Sequence, residues 1–351
     1  MRRGGVLTVV IMLAISLMII PAAVAHAPLG KGDASTLEDA AYIPDPAKSW
    51  AIYSSLDSGG DAEYYIFDIG EGERIYLSLI TAAGSKESGF VPNVILMGPG
   101  ITNQSVPPAW IEIEEESGIG VIVINGTQPE NATYEPFSPS GFYEVAELDI
   151  EAPASGDYHI VVFSESIGGN YGLAVGYVES FNIDEWMFLP FVLISIYEWT
   201  GQNIFYVLAP ILFVLVLGTF GLYWRAIKGK PPKTLVQWMI GIAGLLILSW
   251  GASVLFQIAN ALTYAPLGSE VIISLMFAIV PILIGVYMFT LAQKEQVKIR
   301  VPTRVLLIVL GPIAIFMLAG FLIGPILAIV AGIIPFFVKN KETKEEAQKS
   351  G

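Results

Sequence analysis

From residue 204 to residue 338 the chain runs through long apolar stretches, broken by short segments, two of which are rich in lysine and arginine. A bilayer core about 30 Å thick is crossed by about 20 apolar helical residues. Residues 204–224, 235–258 and 271–292 meet that length, and each is predicted to span. Arg225, Lys228, Lys230 and Lys233 follow the first run, and Lys294, Lys298, Arg300 and Arg304 follow the third. Residues 260–270 carry no basic side chain. Basic loops stay on the cytoplasmic side, so the direction of each span is set. Residues 305–338 contain no charge. As one helix they would be about 50 Å long and would carry Lys339, Lys341 and Lys344 to the outside. A helical hairpin turning near residues 320–325 removes both difficulties. The expected bundle has about five spans, or three plus a re-entrant hairpin, with a cytoplasmic tail at 339–351.

The N-terminal half belongs to a different solvent. Residues 26–202 hold 27 acidic and 4 basic side chains, whereas the rest of the chain holds 5 and 14. This excess of carboxylates excludes nucleic acid as a partner, because phosphate binding needs lysine and arginine. Membrane lipid, and other membrane or envelope proteins, are the expected partners. Arg2 and Arg3 precede an apolar run at 6–20, and an Ala-x-Ala site ends at Ala25. This reads as a secretory signal peptide over 1–25, with an uncut signal anchor as the alternative. Either places residue 26 onward outside, and cleavage makes His26 the first residue. Three Asn-x-Ser/Thr sequons fall in this half, at Asn103, Asn125 and Asn131. They are glycosylation acceptors in an exported domain. The chain has no cysteine, so disulfides, thiol chemistry and a lipoprotein anchor are excluded.

Between residues 50 and 179 the hydrophobic period is two. Ile75, Leu77 and Leu79 alternate with Tyr76 and Ser78; Tyr158, Ile160 and Val162 alternate with His159, Val161 and Phe163. Strands are predicted at 50–55, 62–69, 73–81, 92–98, 119–124, 143–150, 157–165 and 170–178, separated by glycine-rich turns. This pattern predicts an all-β, jelly-roll-like sandwich as the extracytoplasmic domain, preceded by an extension at 26–49 and followed by the helical bundle. Residues 180–203 are predicted to form an interfacial helix or linker, because the apolar stretch 186–197 is too short to span.

Three stretches carry a family resemblance: DAEYYIFDIGEGERIYLSL from Asp61, APASGDYHIVV from Ala152 and GNYGLAV from Gly169. Together they resemble the pre-peptidase C-terminal type of extracellular β-sandwich, which is similar in layout to GOLD-type sandwiches. The likeness covers about a third of the chain. It implies an accessory or binding module and assigns no catalytic residue. Residues 100–142, with the acidic run Glu112, Glu114, Glu115 and Glu116, form an insertion relative to a minimal version.

The chemistry-bearing residues are few. The predicted spans hold no aspartate, glutamate, lysine, arginine or histidine in their interiors, which argues against proton-coupled transport and intramembrane proteolysis. Gln237, Ser249, Ser253, Gln257 and Ser274 are expected to be helix-contact residues. The histidines are His26 and His159. A free α-amino group and imidazole on His26, joined by His159, would give three nitrogens suited to copper. A mature start at His26 on a β-sandwich is similar to copper-binding sandwiches with an N-terminal histidine. The plainer reading puts His159 on the surface and His26 in a disordered segment. The acidic turns Asp57–Asp61 and Asp68–Glu71 offer oxygens for calcium but do not match an EF-hand loop. No nucleophile elbow, phosphate loop or dinucleotide fingerprint occurs. Trp50 and Trp110 have the ring type that stacks on sugars, although burial in the core is expected of both. The expected function is a non-enzymatic envelope protein that presents a binding β-domain. A copper protein and a passive channel or transport-complex subunit are the alternatives.

Overall fold

The computed structural model describes residues 26–30, 34–84, 89–102, 105–114, 117–232, 234–294 and 300–334. The expected signal peptide, Asn103, Glu115, Glu116, the end of the 305–338 run and the tail lie outside the described residues.

Eleven strands form two mixed sheets. They are β1 (Ala27–Leu29), β2 (Ala41–Tyr42), β3 (Trp50–Leu56), β4 (Ala62–Ile69), β5 (Arg74–Ala82), β6 (Asn93–Pro99), β7 (Ile119–Ile124), β8 (Thr133–Glu135), β9 (Ser140–Glu151), β10 (Gly156–Phe163) and β11 (Gly169–Val175). The six-stranded sheet has the order β1-β3-β11-β5-β9-β8, and the five-stranded sheet β2-β4-β10-β6-β7. The eight predicted strands are present. The segment predicted as an extension adds β1 and β2, each paired parallel with a neighbour, and the insertion adds β8.

The alternation of side chains decides which face each residue serves. Ile52, Leu77, Leu79 and Leu173 from one sheet share a core with Phe67, Leu96, Ile160 and Val162 from the other. At the end of this core Glu63 Oε2 accepts hydrogen bonds from Ser54 Oγ at 2.7 Å, Tyr65 Oη at 2.9 Å and Tyr171 Oη at 2.7 Å. A buried carboxylate is tolerated where such donors replace its water. Tyr158 is fully buried, and its hydroxyl lies 2.9 Å from both Pro99 O and Ala154 O. Its ring occupies the space above Gly98, where a Cβ would meet Tyr158 Cδ1 at 2.1 Å.

The opposite parity on the five-stranded sheet forms a second cluster: Tyr64, Ile95, Met97, Val161 and Phe163, capped by Ile111 of the insertion. This sheet is therefore covered on both faces.

Six helices follow: α1 (Ile183–Trp199), α2 (Ile204–Ile227), α3 (Leu235–Ala261), α4 (Val271–Ala292), α5 (Val301–Phe316) and α6 (Ile323–Ile334). Three of them, α2, α3 and α4, are long and apolar enough to cross a membrane. By length the described residues show three of the expected spans, and about five is not confirmed. Among the described residues α5 and α6 are short apolar helices, about 24 and 18 Å long at 1.5 Å per residue. Between them Leu318, Phe321 and Leu322 adopt left-handed backbone. The turn packs on the middle of α3, since Cβ atoms at Gly320 and Gly324 would meet Ile247. The α3–α4 pair is the tightest. A Cβ on Gly244 would lie 2.9 Å from Gly285 O, and one on Gly285 would lie 2.7 Å from Gly244 O, so these glycines set the spacing. The uncharged polar residues act as expected: Gln257 pairs with Gln202 through two 3.0 Å hydrogen bonds, and Gln237 donates to Lys294 O.

Helix α1 is held against the β-domain at both ends. Lys48 Nζ lies 2.7 Å from Glu185 Oε1, and both side chains are largely buried. Trp199 Nε1 lies 3.2 Å from Ser54 O and 3.1 Å from Tyr171 O, and Asn170 Nδ2 donates to Trp199 O at 2.6 Å. The inward residues Leu189, Leu193, Ile196 and Tyr197 recur at helical spacing. A further contact comes from α4, where Ser274 Oγ accepts from Tyr134 Oη and donates to Pro136 O. Removing one member of the Lys48–Glu185 pair leaves the other charge largely buried and unpaired. Lys48→Ala should therefore lower unfolding stability in detergent by about 2 kcal/mol, between the values for exposed and buried pairs. Urea titration followed by tryptophan fluorescence measures it.

Candidate functional site

The α1 contact leaves a cavity of 430 Å³ between that helix and the outer face of the six-stranded sheet. Tyr53 of β3, Tyr76 and Ser78 of β5, and Ala174 of β11 line it, all on the parity opposite to the core. Ile196 and Trp199 supply the α1 side, and Trp199 meets the Tyr53 ring edge-on with centroids 4.9 Å apart.

Carboxylates dominate the polar lining: Glu135, Glu144, Glu147 and Glu179. Glu144 and Glu147 are three positions apart, which in a regular strand puts them on opposite faces. The ladder between β5 and β9 shifts register here, pairing Leu79 with Ala146 but Ile80 with Glu144, so Val145 is an inserted residue. The bulge brings both glutamates to the cavity face. Ser78 Oγ donates to Glu144 Oε1 at 3.1 Å. Glu135 is half-buried. Its Oε1 accepts from Phe137 N at 2.9 Å. Burial, with Glu179 adding repulsion, pushes its carboxyl up to about 7, against the bonds from Phe137 and Ser138. At the mouth Arg74 makes a two-pronged ion pair with Asp149, at 2.8 Å in each arm, with its guanidinium between the Tyr76 and Tyr177 rings.

His26 also lines this cavity, with Nδ1 hydrogen-bonded to Ser49 Oγ. Burial lowers its pKa. The expectation of a disordered His26 is thus corrected: Ala27 N bonds Ser49 O and starts the β1–β3 ladder, which fixes its neighbour.

His159 is on the five-stranded sheet, on the face away from the shared core, as its parity predicts. It is nevertheless buried, at 6% exposure, because the insertion lies over it. Its Nδ1 is 3.4 Å from Glu114 Oε2. Burial lowers its pKa, and Glu114 and Asp157 oppose that shift. The expected surface position is overturned by a long-range contact that alternation cannot reveal. The structure does not bring His26 and His159 together: they occupy the outer faces of two different sheets. Among the described residues no group of three or more histidine, aspartate or glutamate side chains could hold a metal ion. In the acidic turns, Asp61 Oδ2 instead accepts from Ser58 N at 2.7 Å, and Gly70 N donates to Glu73 Oε2 at 3.0 Å.

Sequence reasoning missed the cavity glutamates. One signal existed: Glu147, Asp149 and Glu151 make one face of β9 wholly acidic. Trp50 is buried as expected, and its Nε1 donates to Pro44 O at 2.6 Å. Trp110 is not; it remains 42% exposed. Asn125 and Asn131 are both exposed.

No protein-family model matches the chain, and no curated protein matches it.

The raised Glu135 carboxyl carries a pH signature. Its folded pKa lies above its unfolded value of 4.5, so the native state binds the extra proton between about pH 4.5 and 7. Stability therefore falls as pH rises through that window. Glu135→Gln should raise the melting temperature at pH 8 and leave it nearly unchanged at pH 4.5, as differential scanning fluorimetry at both pH values will show.

Proposed function

We propose that this chain is a non-enzymatic integral membrane protein of a cell envelope. It holds its acidic β-domain on the outer surface and binds a polar ligand or partner segment in the cavity between that domain and α1. The observation that carries this reading is the cavity itself. Its walls come from the six-stranded sheet and from the helix leading into the membrane, so an occupant contacts both halves at once. Concave sites with mixed aromatic and polar linings, placed where two structural units meet, are the usual form of small-molecule sites.

In this reading α2, α3 and α4 cross the bilayer, and α5 with α6 forms a re-entrant hairpin. The broken backbone between them is sheltered by α3, as irregular backbone at membrane depth requires. The β-domain meets the bundle at the α3–α4 turn, where Tyr264 and Ala265 pack over Gly141. The basic residues Arg225, Lys228, Lys230, Arg300 and Arg304 belong to the other ends of these helices, which the charge bias assigns to the cytoplasm. The resemblance to pre-peptidase C-terminal sandwiches supports a binding role for the β-domain.

The absence of cysteine gives a clean background for a topology test. Glu71→Cys and Lys230→Cys place single thiols on the exposed β4–β5 turn and on the basic α2–α3 turn. A membrane-impermeant maleimide added to intact cells should label Glu71→Cys at once and Lys230→Cys only after lysis. The reverse order would overturn the proposed orientation.

A further inference from the structure

A second hollow, of 420 Å³, lies at the far side of the β-domain from α1. Its wall includes Pro107, Pro108 and Trp110 of the insertion, Asn125 after β7, and Phe163 and Glu165 at the end of β10. Trp110 stands edge-on to Phe163, with centroids 5.9 Å apart and planes at 76°, and its indole stays 42% exposed. A large aromatic ring left open beside an amide and a carboxylate is unusual for a core residue. It suits a saccharide, whose C–H face stacks on the ring while its hydroxyls meet polar neighbours.

Asn125 is also the acceptor of the sequon Asn125-Gly126-Thr127, and both Asn125 and Thr127 are exposed. The backbone around it is fixed: Gly126 N donates to Asn93 Oδ1 at 2.9 Å, and Thr127 N donates to Val145 O at 2.7 Å. Gly126 is required there, because a Cβ would lie 2.1 Å from Pro92 O. The acceptor is thus held at the rim of the hollow.

We propose that Asn125 carries an N-linked glycan and that the first sugar settles into this hollow against Trp110. The chemistry is a glycosyl transfer. Asn125 Nδ2 bonds to the anomeric carbon of a lipid-pyrophosphate-linked saccharide, and the carbon–oxygen bond to pyrophosphate breaks. The lipid pyrophosphate leaves with the electron pair, and one Nδ2 proton passes to a base of the transferase. The seated sugar would cover the exposed Trp110 ring beside β7, the edge strand of its sheet. Edges of this kind are shielded in stable β-proteins.

This inference rests on the outward orientation of the β-domain, which the maleimide labelling decides separately. The test is mass spectrometry of proteolytic peptides from the full chain, purified from the membranes of the organism that encodes it. The peptide containing Asn125 should be heavier by a whole number of sugar residues, and Thr127→Ala should abolish that increment while leaving Asn125 in place. Trp110→Ala should keep the increment but speed release of the glycan by a peptide-N-glycosidase under native conditions by about fivefold, the loss expected for one aromatic stack. An unmodified Asn125 in protein labelled at Glu71→Cys from outside would overturn the glycan while leaving the orientation intact. Equal release rates with and without the indole would overturn its seat.

Discussion

Helix α1 is where the two halves of this protein become one body. Lys48 meets Glu185 at its start, and two backbone carbonyls of the six-stranded sheet receive the Trp199 indole at its end. Between these points an apolar face lies inward. A linker would need none of this. Polar contacts that are sheltered from water are strong because their alternative is an unpaired buried group. The same clamp creates the cavity, since a helix fixed at two points over a pleated sheet cannot also fill the space between them.

The charge distribution fits this arrangement. Carboxylates dominate the N-terminal half, and Glu144 and Glu147 of β9 stand exposed at the cavity while Glu135 is partly covered. Glu135 shows the consequence, with its proton held up to near neutrality by burial. Elsewhere charge is matched: the buried Glu63 by three hydroxyls and the exposed Arg74 by Asp149. The bundle uses no such charges among its described interior residues. It uses glycine contacts and amide pairs, which cost little in hydrocarbon.

What the sequence revealed follows from local rules. Alternation at Ile75–Leu79 and Tyr158–Val162 located strands and assigned their faces, and the uncharged runs located the long helices. Local rules failed where distant segments decide. Strands β1 and β2 are too short to show a period and exist because β3 and β4 offer edges. The bulge at Val145 inverts the face of Glu144 without any proline or glycine to announce it. His159 is buried by the part of the insertion around Glu114, more than forty positions away in the chain, and Trp110 is left open in the same insertion. The turn between α5 and α6 falls near residues 320–325, where the uncharged length of residues 305–338 calls for one, although Leu318, Phe321 and Leu322 are ordinary helix formers that here adopt left-handed backbone. Packing against α3 stabilises that turn.

The central claim is that the β-domain and the bundle move as a unit. The cysteine-free chain allows it to be measured with paired spin labels at Glu71 and Lys230, one on each half, in lipid nanodiscs. Double electron–electron resonance should give a single narrow distance distribution that broadens when Lys48 and Trp199 are both replaced by alanine. A broad distribution in the otherwise unaltered chain would contradict the account, because a domain swinging on a flexible tether could not hold the cavity.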